Sequence, residues 1–302
     1  GKYYSWSLCF LAAAIVMILG VVTFLATKKY LGPIGNSPLE LHKPASRIKK
    51  ELAVYLGSLV SIPFIFIMVK NTDYTDYFMY TIGIVAIAYF LIETFRLESA
   101  ALRKKMIAAF LFIFFYFLFN AIFEQSGGSL SLFAKDNLND TLLFFHIDPN
   151  VVNNSSNSLF VIIFSPLIGL LWLWLANKKL EPNTVVKFGI GFIFLGASFY
   201  VFYFTRFFAN DQGIASLNVF TFGYLVTTLG ELCLGPVGMS IITKLAPKRL
   251  FGMMMGLWFL ASAFGQFAAG KLGAEISKSN TGGTLMSKLL SYTCLLYTSD
   301  AA

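Results

Sequence analysis

Two acidic residues lie in or at the end of long apolar runs of this 302-residue sequence. Glu231 lies in the middle of one run, and Glu124 ends another. If these runs cross a bilayer, a mid-membrane charge costs about 2.5–3.5 kcal/mol on insertion scales, so such an acid faces a polar cavity, pairs with a cation or stays neutral. The structural alternatives are that neighbouring helices satisfy Glu231 and that headgroups or water contact Glu124. Glu93, beside Arg96 and Glu98, is expected to be solvated.

The surroundings of Glu231 favour a functional acid. Residues 230–238 read GELCLGPVG. Because proline removes a backbone donor and clashes with the preceding turn, the helix is expected to kink or unwind near Gly235 and Pro236. Irregular backbone at membrane depth survives where it lines a cavity or is buried in protein, and a broken helix beside an acid is typical of secondary transporters.

The last apolar run carries a second polar and aromatic pattern. Trp258 and Ser262 are four residues apart and share a helix face. Small residues recur around them, which predicts close packing against a neighbouring helix. They are Gly252, Gly256, Ala261, Gly265, Ala269 and Gly270.

Enzymatic chemistry finds little support in the residues. The two histidines, His42 and His146, lie in loops and form no zinc motif, and the sequence contains no nucleophile elbow or phosphate-binding glycine loop. Two intramembrane acids could form a protease pair, but Glu124 and Glu231 lack the glycine-flanked aspartates of such sites. We therefore expect a protein that is not an enzyme and that needs no metal or cofactor.

The composition indicates the elements that position these residues. The chain is 57% hydrophobic and 13% charged, whereas a soluble domain averages roughly a quarter charged residues. This excludes soluble and disordered classes, and three cysteines make no disulfide framework. Eight apolar runs reach the length of about 20 residues that a spanning helix needs. They lie near 6–26, 52–69, 77–95, 106–123, 159–176, 185–204, 219–242 and 251–272.

The net charge of +8 predicts an orientation rather than a nucleic-acid partner. Most of the 23 basic residues fall in alternate loops, near 28–50, 96–105, 178–187 and 244–249. Basic loops stay in the cytoplasm, so these loops are expected inside and both chain ends outside. Nucleic-acid binding would need one basic face, and these charges are dispersed.

Several of these segments together resemble one family, the proton-dependent oligopeptide transporters. Residues 230–238, 243–247 (TKLAP) and 252–260 (GMMMGLWFL) resemble that family's tenth and eleventh helices. Residues 123–129 (FEQSGGS) resemble its seventh helix and 157–161 (NSLFV) its eighth. The resemblance extends over essentially all of residues 1–293.

The resemblance implies an all-α polytopic membrane protein of the major facilitator superfamily. The chain would hold helices seven to eleven of the C-terminal six-helix bundle and a preceding two-helix insertion. By segment, it implies helix six at 1–28, a cytoplasmic linker with the inserted pair (52–69 and 77–95) at 29–105, and the bundle at 106–293. Residues 294–302 resemble the in-frame translation of a sequencing-library adapter, and we interpret them as read-through.

The resemblance also implies roles for individual residues. Asn157 and Glu231 would meet the amino terminus of a peptide, and Glu124 would be the proton-responsive acid. Trp258 would wall a side-chain pocket with Phe259 and Ser262 beside it, and Glu231, Gly235 and Pro236 would take part in gating. Ser158 stands where the family commonly has proline.

The function implied is proton-coupled symport of di- and tripeptides by alternating access in a bacterial inner membrane. The partners would be peptides, protons, the lipid bilayer and an N-terminal bundle that is missing here, so this chain alone is not expected to transport. The alternatives are a transporter of another amine-bearing or organic solute on the same fold, a non-transporting membrane sensor and an intramembrane enzyme.

Overall fold

The computed structural model describes residues 6–32, 44–210 and 213–279, and these ranges are almost entirely helical. The adapter-like segment 294–302 lies outside them. The helices are α1 (Trp6–Thr27), α2 (Pro44–Lys70), α3 (Thr72–Phe95), α4 (Ala100–Phe123), α5 (Ser129–Asn137), α6 (Pro149–Asn177), α7 (Thr184–Phe204), α8 (Leu217–Leu245) and α9 (Phe251–Ser279).

Short elements connect some of these helices. A 3₁₀ turn, Glu124–Gly127, joins α4 to α5, and a second, Lys248–Leu250, joins α8 to α9. Two short antiparallel strands, β1 (Thr141–Leu142) and β2 (Phe145–His146), precede α6. Eight of the described helices are long and apolar enough to cross a membrane, which confirms the eight predicted spans.

The chain divides into two compact units, Gly1–Phe78 and Met79–Ala302, with the boundary inside α3. In the first unit, α2 and the start of α3 pack together. The rings of Phe64 and Phe78 meet edge to face with centroids 5.7 Å apart, and the Thr75 hydroxyl donates to the Met68 carbonyl at 2.7 Å. The second unit contains every predicted site residue.

The closest helix packing in the second unit joins α7 to α8. A Cβ added to Gly230 would lie 2.8 Å from the carbonyl oxygen of Gly191, and a Cβ on Gly191 would lie 3.0 Å from that of Gly230. Further along, Phe202 of α7 lies against Gly223 of α8, so the two helices are antiparallel. Glycine at both crossing positions lets the two backbones touch, which fixes where α8 sits.

Helix α9 packs against α4 in the same direction. Trp258 stacks on Tyr116, Gly265 lies against Asn120, and a Cβ on Gly273 would lie 3.4 Å from the Cα of Gly128. The prediction of close packing is therefore confirmed at Gly265. It is wrong at Gly252, Gly256 and Gly270, where an added Cβ would meet nothing within 4 Å.

The expectation about α8 needs correction, and the expectation about the end of α4 does not. Helix α8 is continuous over 29 residues with Pro236 inside it, so the predicted unwinding at Gly235 and Pro236 is wrong, while the alternative of a kink there stays a prediction. One missing amide donor does not break a long membrane helix, since the turns on both sides keep their bonds. The predicted position of Glu124 is confirmed, since it caps the end of α4, and the chain continues from it as the 3₁₀ turn into α5.

The expectation that Glu93 is solvated is also wrong. Glu93 is 5% exposed, and its carboxylate forms ion pairs with Arg96 at 2.9 Å and with Arg249 at 3.3 Å. Arg249 belongs to the turn between α8 and α9, which lies beside the end of α3. This contact joins residues far apart in sequence, so the local pattern around Glu93 could not show it.

The glycine crossing between α7 and α8 predicts a stability difference. Gly230→Ala should destabilise the protein by about 1–3 kcal/mol, the usual cost of overpacking, because its methyl group would meet backbone that cannot rotate away. Gly235→Ala is the matched control on the same helix, since its methyl group would meet open space. Thermal unfolding in detergent should show a clear loss for Gly230→Ala alone, and equal losses would contradict the proposed crossing.

Candidate functional site

Glu231 and Asn157 meet between α8 and α6. Nδ2 of Asn157 donates to Oε2 of Glu231 at 3.1 Å, joining residues 74 positions apart in the chain. Glu231 is half-buried. Among the described residues it has no ion-pair partner, so its charge is met by a neutral amide alone. The structure thus brings together the two residues that the resemblance assigned to one binding site.

Thr228 holds the amide of Asn157 from the other side. Its hydroxyl lies 2.7 Å from Oδ1 of Asn157 and 2.8 Å from the carbonyl oxygen of Tyr224, and its side chain is fully buried. A hydroxyl that donates to Oδ1 leaves Nδ2 of the same amide free to face Glu231. Thr228 therefore sets the orientation of Asn157.

A second contact between the same helices lies one turn away, and it continues to the 3₁₀ turn after α4. The Tyr224 hydroxyl donates to Oδ1 of Asn153 at 2.5 Å, and Nδ2 of Asn153 donates to the carbonyl oxygen of Ser126 at 3.0 Å. Asn153 and Tyr224 are each 2% exposed. Because 153 pairs with 224 and 157 with 228, α6 and α8 run parallel.

Sequence reasoning missed Asn153, Tyr224 and Thr228. Their spacing carried a usable signal, since Asn153 is four residues before Asn157, and Tyr224 and Thr228 are seven and three residues before Glu231. Residues at these intervals share a helix face. A polar stripe on each of two apolar helices is a reason to expect that the stripes face each other.

Glu124 lies in a separate polar seam between α4 and α9. Its Oε1 accepts a hydrogen bond from Nε2 of Gln266 at 3.2 Å. One turn earlier on each helix, the Ser262 hydroxyl donates to Oδ1 of Asn120 at 3.4 Å.

The aromatic residue predicted to wall a pocket is buried in this structure. Trp258 is 2% exposed, and its ring stacks on Tyr116 with centroids 3.8 Å apart and planes 11° apart. The far edge of the indole fills the space where a Cβ on Gly238 would be. Phe259 lies elsewhere, with 60% of its surface exposed, so the structure does not bring it next to the buried face of Trp258.

These helices and this site define a polytopic, all-helical membrane protein whose polar groups meet between spans. A family comparison then identifies it: the chain belongs to the POT family, described as PTR2, whose model matches residues 1–285. The sequence resemblance is thereby confirmed, as is the major-facilitator fold class. Members of this family are transporters and not enzymes.

Known relatives and solved structures agree with this assignment. A dipeptide and tripeptide permease A from Serratia proteamaculans is 30% identical over 89% of this chain and 52% of its own length. A crystal structure of a peptide transporter POT with sulfate is 30% identical with a TM-score of 0.68, covering 100% of this chain and 63% of that one.

A POT family transporter in complex with 5-aminolevulinic acid is 26% identical with a TM-score of 0.65, covering 97% of this chain and 62% of that one. The chain spans about half the length of the curated relatives it matches.

The bond between Thr228 and Asn157 predicts a contrast between neighbouring threonines. Thr228→Val should cost about 1 kcal/mol more than Thr227→Val, because it leaves an acceptor of Asn157 unpaired between two helices. Thr227 is also buried, but its hydroxyl bonds only to the Gly223 carbonyl of its own helix, which makes it the matched control. Thermal unfolding of both variants measures the difference, and equal losses would contradict the orienting role.

Proposed function

We propose that this chain forms part of a proton-coupled symporter that carries di- and tripeptides across a bacterial inner membrane by alternating access. The observation that carries the proposal is the carboxylate of Glu231, which lies within a membrane-spanning helix and is met by one neutral amide. Family membership and the Serratia relative's name as a dipeptide and tripeptide permease support the substrate class.

The chemistry of Glu231 favours a substrate with a free amine. An ammonium that enters a medium of low dielectric is strongly stabilised by a nearby carboxylate. Asn157 already touches the same carboxylate and has a carbonyl oxygen that could accept a bond from the ammonium. Glu231 and Asn157 are therefore our proposed ligands for the amino terminus of the peptide.

The remaining assignments complete the proposed cycle. Trp258, Phe259 and Ser262 would contact peptide side chains, and because Trp258 is buried on Tyr116, this contact requires α4 and α9 to move or the indole to rotate. Glu124 would take up the transported proton. Glu231, Gly235 and Pro236 would take part in gating as α8 rocks against the N-terminal bundle.

The proposed division of the chain follows the same family pattern. Helix six would occupy 1–28, the linker and its inserted helix pair 29–105, and helices seven to eleven 106–293. In this division the polar site lies wholly in the C-terminal bundle, and the N-terminal bundle supplies the opposing wall. Transport is therefore to be measured in a full-length transporter that contains this chain.

One alternative has an observation in its favour. A solved POT family transporter holds 5-aminolevulinic acid, which has a free amine but is not a peptide. A small amino acid-like solute would satisfy Glu231 equally well. Competition separates the candidates: free dipeptides should block uptake of labelled dialanine while amino-acetylated dipeptides should not, and block by small amino acids alone would favour the alternative.

Removing the charge of Glu231 should abolish uptake. In proteoliposomes, Glu231→Ala and Glu231→Gln should each reduce dialanine uptake on the order of tenfold or more, since a bond to a charged group contributes about 1.5–3 kcal/mol. Glu98→Gln removes an exposed acid and should transport normally. Near-normal uptake by Glu231→Gln would refute the role of the charge.

Removing the charge of Glu124 should separate coupling from binding. Glu124→Gln can still accept the bond from Gln266 but cannot release a proton, so proton-driven accumulation of dialanine should be lost while counterflow exchange is largely kept. Uptake driven by a pH gradient and exchange without a gradient, measured on the same vesicles, test this. Equal loss of both activities would count against a coupling role.

A further inference from the structure

The 3₁₀ turn that carries Glu124 is held on both sides by buried side chains. Toward α9, Nε2 of Gln125 donates to the Ala269 carbonyl at 3.3 Å, and Gln125 is 1% exposed. Toward α6, the Ser126 carbonyl accepts the bond from Asn153. Glu124 is thus the first residue of a short segment whose next two residues are each fixed to a different helix.

Asn153 joins this turn to α8. One end of its amide donates to the turn, and the other end accepts from Tyr224, at 3.0 Å and 2.5 Å. Asn153 and Tyr224 are both buried, so water cannot replace either hydrogen bond when one partner moves. Three elements that are far apart in sequence therefore meet at one amide group.

The same three elements carry the proposed transport groups. Asn153 lies one helical turn from Asn157 on α6, Tyr224 lies two turns from Glu231 on α8, and Ser126 lies two residues from Glu124. We propose that Asn153 and Tyr224 are positioning residues that couple the turn carrying Glu124 to the Asn157–Glu231 pair. This inference rests on the proposed function and names the device that links its proton group to its amine group.

The physical reason is that a buried amide with both ends bonded favours one relative placement of its partners. A shift of the 3₁₀ turn strains the bond to Ser126 and is passed through Asn153 to α6 and through Tyr224 to α8. A change at Glu124 then biases the geometry of the carboxylate that holds the amine. Coupling of this kind is a free-energy link between two sites, and it acts in both directions.

Tyr224→Phe is the sharpest test because it removes one hydroxyl and keeps the aromatic packing against Phe202 and Phe220. In a full-length transporter containing this chain, dialanine counterflow should stay within about twofold of the wild type, while proton-driven accumulation should fall by about fivefold or more, the lower range of allosteric coupling. Asn153→Ala should show the same split in a stronger form.

Matched controls lie on the same helix and in the same residue class. Asn154→Ala removes an exposed amide that bonds only to the Asn150 carbonyl of its own helix. Tyr200→Phe removes a tyrosine hydroxyl from a residue that is 62% exposed. Both should leave counterflow and proton-driven accumulation unchanged.

A merely structural role for Tyr224 would lower both activities together, and that result would overturn the proposal, as would a variant with both activities unchanged. A stability cycle tests the link without transport: the Tyr224→Phe and Glu124→Gln changes in unfolding temperature should not add, whereas Asn154→Ala and Glu124→Gln should add. A wild-type transporter without dialanine uptake would refute the proposed function, and the cycle would still decide whether the two positions are coupled.

Discussion

The structure of the second unit depends on accommodating a carboxylate inside a membrane-spanning helix. Glu231 cannot be solvated by lipid, so α8 must lie against a helix that offers a polar group at the same depth. Asn157 of α6 does so, and Thr228 orients its amide. With the Tyr224–Asn153 bond one turn away, these contacts place α6 and α8 parallel, while the glycine crossing at Gly191 and Gly230 holds α7 against α8.

A second polar seam follows the same logic between α4 and α9. Glu124 is met by the amide of Gln266, and Asn120 is met by Ser262 one turn earlier. Each seam consists of polar residues at helical spacing, and each joins two parallel helices. The 3₁₀ turn after α4 connects the two seams, since it follows α4 directly and its Ser126 carbonyl accepts a hydrogen bond from Asn153 of α6.

Sequence patterns predict the spans well because a run of about 20 apolar residues has few alternatives to a membrane helix. They predict the site less completely. Glu231 stands out as a charge in an apolar run, but its pairing with Asn157 came from family resemblance, and Thr228, Tyr224 and Asn153 were missed. Which faces of two helices meet is decided by tertiary packing.

The errors have the same origin. The expectation that Glu93 is solvated rests on Arg96 and Glu98 near it in sequence, but Arg249, 156 residues away in the chain, donates a hydrogen bond to its carboxylate. The unwinding expected at Pro236 followed from a local rule, whereas the flanking turns and the packed neighbours of α8 keep the helix continuous. The pocket role of Trp258 stays a prediction, and the burial of its ring depends on Tyr116 and Gly238 of two other helices, which the local sequence does not show.

The three acids Glu93, Glu124 and Glu231 differ in the charge of their partners, and this difference separates Glu93 from the two acids with proposed functional roles. Glu93 is the most buried of the three, yet two guanidinium groups neutralise it, and a substrate cation would have to displace them. Glu124 and Glu231 are each met by a single neutral amide in the described chain. A neutral amide donates a hydrogen bond to a carboxylate but does not neutralise its negative charge, so these two acids keep an affinity for a cation. A proton and an ammonium are the two cations that the proposed transport cycle supplies.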